Sequence, residues 1–404
     1  MQRRHFISAM AGISAAALAP VALARARGLR IGVVGGGIVG SAIAWALARG
    51  GARVIQFEKT EPASGATRNS FAWLNAFVDD AHYRALRLRS LAAYHEIDQR
   101  LRLGIRWHGY AQWARTPDEL RAMQAAAAQL DGTAHPARSI DSAQLAQLIP
   151  RVAPGPLAGA FYSSIDGHLD PVAVTQRFIA AARRHGAQLQ TACEVQALEF
   201  TGGRLAQVVT GKGRVPLDRL VVAAGVDTPR ILAMAGFNLK LRHAPGILAH
   251  SVALPPITAV VCEAPGGLSF KQMADGSVVG TDSPDPPDLP VHHEILERAT
   301  DFPDAALRAM HGNRILGKIG QFLPGVRALA LERLTLGFRP LPLDDRPIVG
   351  PLPGAPDGYV AVTHSGVTLA PILARYVSGE LLEGAREPSL SPYRPQRFGG
   401  MAAS

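Results

Sequence analysis

The fold is decided by residues Leu29 to Lys59, which read LRIGVVGGGIVGSAIAWALARGGARVIQFEK. The opening run, Leu29–Val34, is short and rich in Ile and Val, which predicts a buried strand. The Ala- and Ile-rich segment Ile38–Arg49 predicts a helix that ends at the following glycine pair. Val54–Phe57 then predicts a second strand. This order indicates a βαβ unit of an α/β protein with a parallel sheet.

Three glycines follow the first strand with the spacing G-x-G-x-x-G: Gly35, Gly37 and Gly40. The first allows a tight turn, the second lets the backbone approach a pyrophosphate, and the third lets the helix pack close to the strand. Glu58 ends the second strand, where its carboxylate can accept hydrogen bonds from ribose hydroxyls. The stretch therefore predicts a Rossmann-like dinucleotide site rather than a glycine-rich turn without a ligand. A 2′-phosphorylated cofactor is disfavoured, because its phosphate would meet the Glu58 carboxylate.

Residues 1–24 have the features of an export signal and are set apart from the fold. Arg3 and Arg4 precede a small apolar run, and Ala22–Ala24 has the A-x-A pattern of a cleavage site. The Arg-Arg-x-Phe pattern is typical of a twin-arginine signal, which carries folded proteins across the inner membrane. We therefore expect a periplasmic protein. The alternative is a basic, disordered N-terminus.

Composition excludes several classes of protein. The chain has 404 residues and a formal charge of +10, but its basic residues are scattered, without blocks or interleaved aromatic residues, which argues against nucleic-acid binding. No later stretch has about 18 uninterrupted apolar residues, so no membrane span is expected after signal removal. Cys193 and Cys262 are the only cysteines. They exclude a disulfide framework and a thiolate metal cluster, leave one bridge between them open, and no metal site is expected.

Three later segments carry glycines or polar donors suited to the same ligand. The loop after Glu58 contains Ser64 and 67–70, whose side chains can donate hydrogen bonds to phosphate or ring carbonyls. An ordinary capped loop is the alternative. A second apolar strand, 220–224, ends in Gly225 and leads into a helix, and residues 364–368 join the last strand to the last helix. Glycine turns at strand ends are where ligands bind in doubly wound sheets.

Together these pieces resemble the FAD-dependent D-amino-acid oxidase-like (DAO) family, the group of glycine oxidase, sarcosine oxidase and D-amino-acid dehydrogenase. The resemblance rests on motifs that follow one another in the family's order and span nearly the whole chain after the signal. They are GGGIVGSAIAWALARGG with Glu58, SGATRNS, GHLDPVAVTQRF, VVAAGVD, GFRPLPLDDRPIVG and THSGVTLAP.

The resemblance implies an FAD cofactor that is bound noncovalently, because no cysteine follows the GFRP segment. The glycines would hold the diphosphate, Glu58 the adenosine ribose, and Val195 the adenine through its backbone. Backbone N–H groups of 365–368 would face the flavin C2 carbonyl, where a helix N-terminus stabilises negative charge on reduced flavin. The expected cofactor-binding residues are Gly35, Gly37, Ile38, Val39, Gly40, Glu58, Lys59, Ser64, Thr67, Arg68, Asn69, Ser70, Val195, Ala224, Gly225, Arg339, Ser365, Gly366, Val367 and Thr368.

The resemblance also implies two interleaved domains. A Rossmann-like FAD-binding domain is expected from residues 28–103, 168–243 and 333–384, discontinuous in sequence. An α+β substrate domain with an antiparallel sheet is expected from residues 104–167 and 244–332, where prolines are dense and short strands alternate. Residues 385–404 would form a C-terminal tail.

Arg339 is the residue expected to bind a substrate carboxylate. A guanidinium matches a carboxylate in a two-bond fork, and Arg339 follows a strand that ends close to the flavin. The alternative is a structural ion pair with Asp344 or Asp345. His364 adjoins the flavin-facing turn, where it could tune the ring, contact the substrate or simply pack.

Three further residues are weaker candidates: Tyr162, Phe270 and Lys271. Lys271 lies on a predicted strand of the substrate domain. A cation there could stabilise superoxide or the substrate, but a solvent-facing lysine is the favoured interpretation.

The expected function is oxidation of the C–N bond of an amino acid or N-substituted amino acid by hydride transfer to flavin N5, with hydrolysis of the resulting imine. The substrate would be a small amine that bears a carboxylate. Either oxygen or a quinone-linked carrier would reoxidise the flavin. The competing hypotheses are a flavin dehydrogenase of another small carboxylate, such as a 2-hydroxy acid, and a noncatalytic exported flavoprotein.

Overall fold

A computed structural model describes residues 28–133, 136–282, 304–324 and 329–398, together with a few positions between 293 and 302. The predicted export signal lies outside the described residues. Within them, no helix is both long enough and apolar enough to cross a membrane.

The helices and strands follow one another along the chain in three kinds of layer, described below. The strands are β1 Arg30–Val34, β2 Arg53–Phe57, β3 Trp73–Leu74, β4 Tyr110–Ala114, β5 Arg138–Ile140, β6 Gly159–Ser163, β7 Gly167–His168, β8 Gln188–Gln190, β9 Val195–Thr201, β10 Arg204–Thr210, β11 Gly213–Pro216, β12 Arg219–Val222, β13 Leu241–Ala253, β14 Val261–Ala264, β15 Leu268–Gln272, β16 Ser277–Asp282, β17 Leu331–Pro342, β18 Ile348–Leu352 and β19 Ala355–Val362. The helices are α1 Ile38–Arg49, α2 Ala81–Leu101, α3 Pro117–Ala128, α4 Ser142–Leu148, α5 Pro171–Arg184, α6 Thr228–Ala233, α7 Ala305–Gly320 and α8 Gly366–Glu383.

Six strands form a sheet in the order β18–β19–β12–β1–β2–β8, parallel except for the edge pair β18 and β19. Helices α1, α5 and α8 cover one face, and the small antiparallel sheet of β9, β10 and β11 covers the other. Because β1, β12 and β19 are parallel neighbours, the glycine-bearing turns that follow them lie along one edge of the sheet. The predicted α/β class with a Rossmann-like sheet is confirmed.

Eight strands form a second sheet in the order β17–β13–β16–β15–β14–β4–β6–β5, antiparallel except where β4 runs parallel to β14. One face is covered by α7, whose Ile315 and Ile319 pack with Phe270 and Trp113 in an apolar core. The opposite face lines a cavity together with the glycine edge of the parallel sheet. The molecule therefore places one large cavity between its two sheets.

The change of sheet does not coincide with one expected boundary. Residues 333–342 are expected in the FAD-binding domain, but their strand, β17, pairs along β13 from Leu241 to Ser251 in the antiparallel sheet. The reason is that β13 and β17 are both long, and their pairing extends the antiparallel sheet past residue 333. Arg339 therefore lies on the antiparallel sheet, and the domain boundaries otherwise stay a proposal.

The described part of the C-terminal tail is anchored by a buried ion pair. The Arg394 guanidinium contacts both Glu380 oxygens, and the two side chains are only 14% and 7% exposed. Tyr359 donates a further hydrogen bond to Glu380 Oε2 at 2.7 Å. Burial alone would raise the pKa of Glu380, but these hydrogen bonds hold that pKa below its ordinary value.

Replacing Arg394 with Met is expected to lower the free energy of unfolding by about 3 kcal/mol, because Glu380 would be left as an uncompensated buried charge. The matched control is Arg375→Met, which breaks an exposed pair with Glu96 (51% and 55% exposed) and should cost less than about 1 kcal/mol. Urea denaturation measures both. Equal losses in the two variants would contradict the anchoring role.

Candidate active site

The cavity between the sheets has a volume of about 820 Å³ and is lined by the turns after β1, β2, β12 and β19 and by the open face of the antiparallel sheet. Most of the residues expected from the sequence to bind a cofactor line it. They are Gly35, Gly37, Ile38, Val39, Glu58, Lys59, Ser64, Thr67, Asn69, Ser70, Val195, Ala224, Gly225, Arg339, Ser365, Gly366, Val367 and Thr368, with His364 beside them.

At one end of the cavity the glycine turn is held against Glu58. Gly35 has a φ of +113°, and a Cβ there would lie 2.3 Å from the Ala223 carbonyl oxygen, so only glycine fits. The Gly36 N–H donates to Glu58 Oε2 at 2.7 Å, and the Thr60 N–H donates to Oε1 at 2.8 Å. Glu58 is thus fixed at the strand end with its remaining lone pairs toward the cavity. Lys59 and Asp227 form an ion pair at the rim.

The helix N-termini differ according to whether they face the cavity. Helices α2, α3, α4, α5 and α7 are each capped by the side chain of the preceding residue, namely Asp80, Thr116, Asp141, Asp170 and Asp304. Helices α1 and α8, which begin at the cavity, have no side-chain cap and no acidic residue in the first turn. Thr67 Oγ1 accepts one hydrogen bond from the Ile38 N–H at 3.1 Å. Two positive helix ends therefore point toward the same space.

Beside the start of α8, a chain of hydrogen bonds joins two arginines. Arg339 Nη1 lies 3.3 Å from His364 Nε2, and Arg339 Nη2 donates to the Pro245 carbonyl at 3.2 Å. Because arginine only donates, His364 Nε2 accepts, and the proton on Nδ1 faces Ser365 Oγ at 3.4 Å. Arg87 Nη2 donates to the same Ser365 oxygen at 2.5 Å.

The His364 imidazole is neutral near pH 7. Burial, followed by the positive charges of Arg339 and Arg87, lowers the pKa of His364 to about 4. A neutral ring can accept the Arg339 hydrogen bond, whereas an imidazolium would repel that guanidinium. His364 therefore orients Arg339 at the cavity surface.

The alternative of a structural ion pair for Arg339 can be checked against the two aspartates. Asp344 pairs with Arg397, and Asp345 pairs with Arg242. The contacts described for Arg339 are instead with His364 and Pro245, inside the cavity wall. The position of Arg339 is therefore that of a ligand-facing residue.

A sequence model of the family described as FAD dependent oxidoreductase matches residues 30–379. The chain belongs to this family. The sequence is similar to an opine oxidase polypeptide of Agrobacterium tumefaciens (strain Ach5), with 27% identity over 91% of this chain and 96% of that protein. The fold is similar to solved structures of L-proline dehydrogenase from P. horikoshii and glycine oxidase from Geobacillus kaustophilus. The first has a TM-score of 0.81, 20% identity and coverage of 94% of this chain and 100% of that one. The second has a TM-score of 0.79, 23% identity and coverage of 91% and 98%.

The cavity of this FAD dependent oxidoreductase fits its family's cofactor. A Cβ on Gly36 would lie 2.8 Å from Glu58 Oε2, so the glycine turn leaves no room for side chains between backbone and carboxylate. The two uncapped helix ends offer N–H groups to anionic or carbonyl oxygens, as a diphosphate and a flavin require. The α1 turn would hold the diphosphate, Glu58 the ribose, and the α8 turn the flavin carbonyl.

Two residues of the expected cofactor set lie elsewhere. Gly40 is inside α1, where a Cβ would lie 2.2 Å from the Gly35 carbonyl oxygen, so it serves helix packing and does not line the cavity. Arg68 is exposed and lies 3.9 Å from Glu61. Its neighbours Thr67 and Asn69 face the cavity, because the loop turns at this point.

The weaker candidates are also away from the cavity surface. Tyr162 donates to the His108 carbonyl, and Phe270 packs in the apolar core on the far face of the sheet. Cys193 and Cys262 are both buried free thiols, in different apolar cores, so they form no bridge.

Lys271 is buried, which corrects the favoured interpretation that it faces solvent. It is 1% exposed, and its Nζ lies 3.5 Å from the Ala72 carbonyl and 5.1 Å from the centre of the Phe71 ring. Phe71 and Ala72 line the cavity, so Lys271 stands directly behind the wall. Burial lowers the pKa of Lys271 to about 7.

Replacing Lys271 with Met is expected to raise the free energy of unfolding by about 2 kcal/mol more at pH 6 than at pH 9. Between pH 7 and the ordinary lysine pKa, the unfolded chain binds more protons than the folded one, so the wild-type penalty grows as pH falls through that window. Thermal or urea denaturation at the two pH values measures it. Lys240→Met, at an exposed position, should change little at either pH. A pH-independent gain for Lys271→Met would contradict the buried ammonium.

Sequence reasoning missed several residues that line the cavity. Arg87 is one of many arginines on amphipathic helices, and Tyr110, Gln112 and Glu263 lie on strands without a motif. No local signal marks any of them, because each meets its partner only through sheet or helix packing.

Proposed function

We propose that this protein oxidises the C–N bond of an amino acid or N-substituted amino acid that bears a carboxylate. The observation that carries the proposal is Arg339 at the cavity surface, oriented by neutral His364 beside the uncapped start of α8. The similarity to proteins named opine oxidase and glycine oxidase supports this substrate class.

In this proposal FAD is bound noncovalently. When bound, it supplies N5 as the acceptor of a hydride, that is, of the two electrons removed from the substrate carbon. The residues would hold it as described above: Glu58 at the ribose, the α1 turn at the diphosphate, and the α8 turn at the flavin.

The protein's own residues bind and orient the substrate. Arg339 pairs with the carboxylate in a fork, which fixes the carbon next to the amine. The amine reacts in its neutral form, and its N–H proton leaves to water while the carbon loses its hydrogen with two electrons. The resulting C=N bond is then hydrolysed by one water to a 2-oxo acid and an amine. Burial between the two sheets excludes bulk water from the reacting carbon.

The test is anaerobic reduction of the flavin-loaded protein by separate panels of D-amino acids, L-amino acids, N-alkyl amino acids and 2-hydroxy acids. Bleaching by amines alone supports the proposal. Bleaching by hydroxy acids alone would replace it with a hydroxy-acid dehydrogenase, and bleaching by no compound would favour a noncatalytic flavoprotein. Admission of oxygen, or of a soluble quinone, then shows which acceptor restores the oxidised spectrum.

We also propose that the protein is exported to the periplasm as a folded chain, on the basis of Arg3 and Arg4 in the N-terminal sequence. Cell fractionation of the wild type and of the double variant Arg3→Lys, Arg4→Lys tests this. Equal periplasmic amounts of both would remove the twin-arginine assignment.

A further inference from the structure

The antiparallel sheet contributes a carboxylate to the cavity at a distance from Arg339. Glu263 lies on β14, and the Tyr110 hydroxyl donates to its Oε2 at 2.6 Å. Within the described part of the chain, Oε1 receives no such bond. Burial raises the pKa of Glu263, and the Tyr110 hydrogen bond opposes that rise. One oxygen of this carboxylate is thus held, while the other is open to the cavity.

The other carboxylates that line the cavity are engaged differently. Asp282 is neutralised by Arg314 and Lys318, and Asp227 is paired with Lys59. Glu58 accepts backbone N–H groups at the dinucleotide end. Among the described cavity residues, Glu263 is therefore the carboxylate whose partner is a neutral hydroxyl. A cation from outside the chain would complete it.

An aromatic wall stands next to Glu263. The Tyr110 ring stacks on Trp73 with centroids 4.7 Å apart, and Phe77 lies 5.5 Å from Tyr110. Trp73 is anchored by its indole N–H, which donates to Asp166 at 2.7 Å. Aromatic faces beside a carboxylate are a recurring way to bind guanidinium or ammonium groups.

The spacing across the sheet separates this pocket from Arg339. Strand β17 with Arg339 and strand β14 with Glu263 have β13, β16 and β15 between them. Four strand spacings amount to about 19 Å between backbones. A substrate that reaches both must be extended, with its carboxylate at one end and its second group far from it.

We propose that Glu263 and the aromatic wall of Trp73, Phe77 and Tyr110 bind a distal cation of the substrate, a guanidinium or an ammonium group. This inference rests on the proposed function, because it takes the Arg339 end as the carboxylate site. The substrate class is then a carboxylate-bearing amine with a positive charge at the end of a long arm.

The experiment compares matched pairs that differ only in charge. One pair is N-(4-guanidinobutyl)glycine and its urea analogue N-(4-ureidobutyl)glycine, and the other is arginine and citrulline, each as both enantiomers. The wild type should show a kcat/KM at least about 10-fold higher for the guanidinium member, since a buried charge pair contributes on the order of 10-fold or more. Glu263→Gln keeps the side-chain shape and an acceptor for Tyr110, and should bring the ratio close to one.

The control substitution is Glu332→Gln, at an exposed position on β17 away from the cavity, which should keep the wild-type ratio. Equilibrium binding is measured as well, by calorimetry with 4-guanidinobutyrate and 4-ureidobutyrate on the flavin-loaded protein. A wild-type protein that oxidises both members equally and binds both probes equally would overturn the role of Glu263 while leaving the proposed function intact. If no amine reduces the flavin, the proposed function fails, and the binding ratio alone decides on Glu263.

Discussion

Replacing Gly37 with Asp is expected to strip FAD from the protein without unfolding it. Gly37 is the N-cap of α1, with φ −75° and ψ 176°, a conformation open to any L-residue. Aspartate is a favoured N-cap, so the variant should satisfy the first-turn N–H groups of α1 by itself. The same carboxylate would occupy the place expected for the diphosphate. One pair of like charges about 4 Å apart costs about 4 kcal/mol near a protein surface, which corresponds to a loss of about 10³-fold in FAD affinity.

The matched control is Gly37→Asn, which caps the helix with nearly the same shape and no charge. A Cβ at residue 37 would lie 3.1 Å from Thr67 Oγ1, so both variants need the same small displacement of that side chain. The ratio of flavin to protein absorbance after purification measures cofactor retention, and thermal denaturation of the stripped proteins measures the fold. Retention of FAD by Gly37→Asp would contradict the placement of the diphosphate at α1.

Replacing Arg339 with Met is expected to lower kcat/KM for carboxylate-bearing amines by about 10³-fold, or about 4 kcal/mol, because a buried charge-assisted pair is lost. Arg339→Lys keeps the charge but not the two-bond fork, and should fall between the variant and the wild type. The reaction with amines that lack the carboxylate, measured as the rate of flavin bleaching, should change much less.

The control for Arg339 is Arg242→Met, at an exposed site on the adjoining strand, where the arginine pairs with Asp345 instead of facing the cavity. It should keep the wild-type kcat/KM. Unchanged bleaching and unchanged substrate affinity in Arg339→Met would show that another group holds the carboxylate, and the substrate assignment would be withdrawn.

Local signals in the sequence predicted the first βαβ unit almost residue for residue. The predicted helix Ile38–Arg49 has the same bounds in the structure, and Gly35 occupies the positive-φ position that a tight turn requires. These features depend on contacts within about 30 residues of chain, so the sequence pattern records them directly. The glycine turns after β12 and β19 were found for the same reason.

Other parts of the site depend on pairs far apart along the chain. Arg87 and Ser365 are separated by 278 residues, and Tyr110 and Glu263 by 153. A single arginine on a helix or a glutamate on a strand has no local mark that distinguishes it from a solvent-facing residue. The burial of Lys271 was missed for this reason, because the Ala72 segment that covers it comes from a distant part of the chain.

By itself, the sequence determined that this protein builds a dinucleotide-binding βαβ unit, because periodicity, glycine spacing and the terminal glutamate all act over a few turns of chain. Only the tertiary structure decided that Arg339 belongs to the antiparallel sheet, that His364 orients it, and that Glu263 faces the same cavity. Those features arise when two sheets pack against each other, and packing depends on surfaces assembled from distant segments.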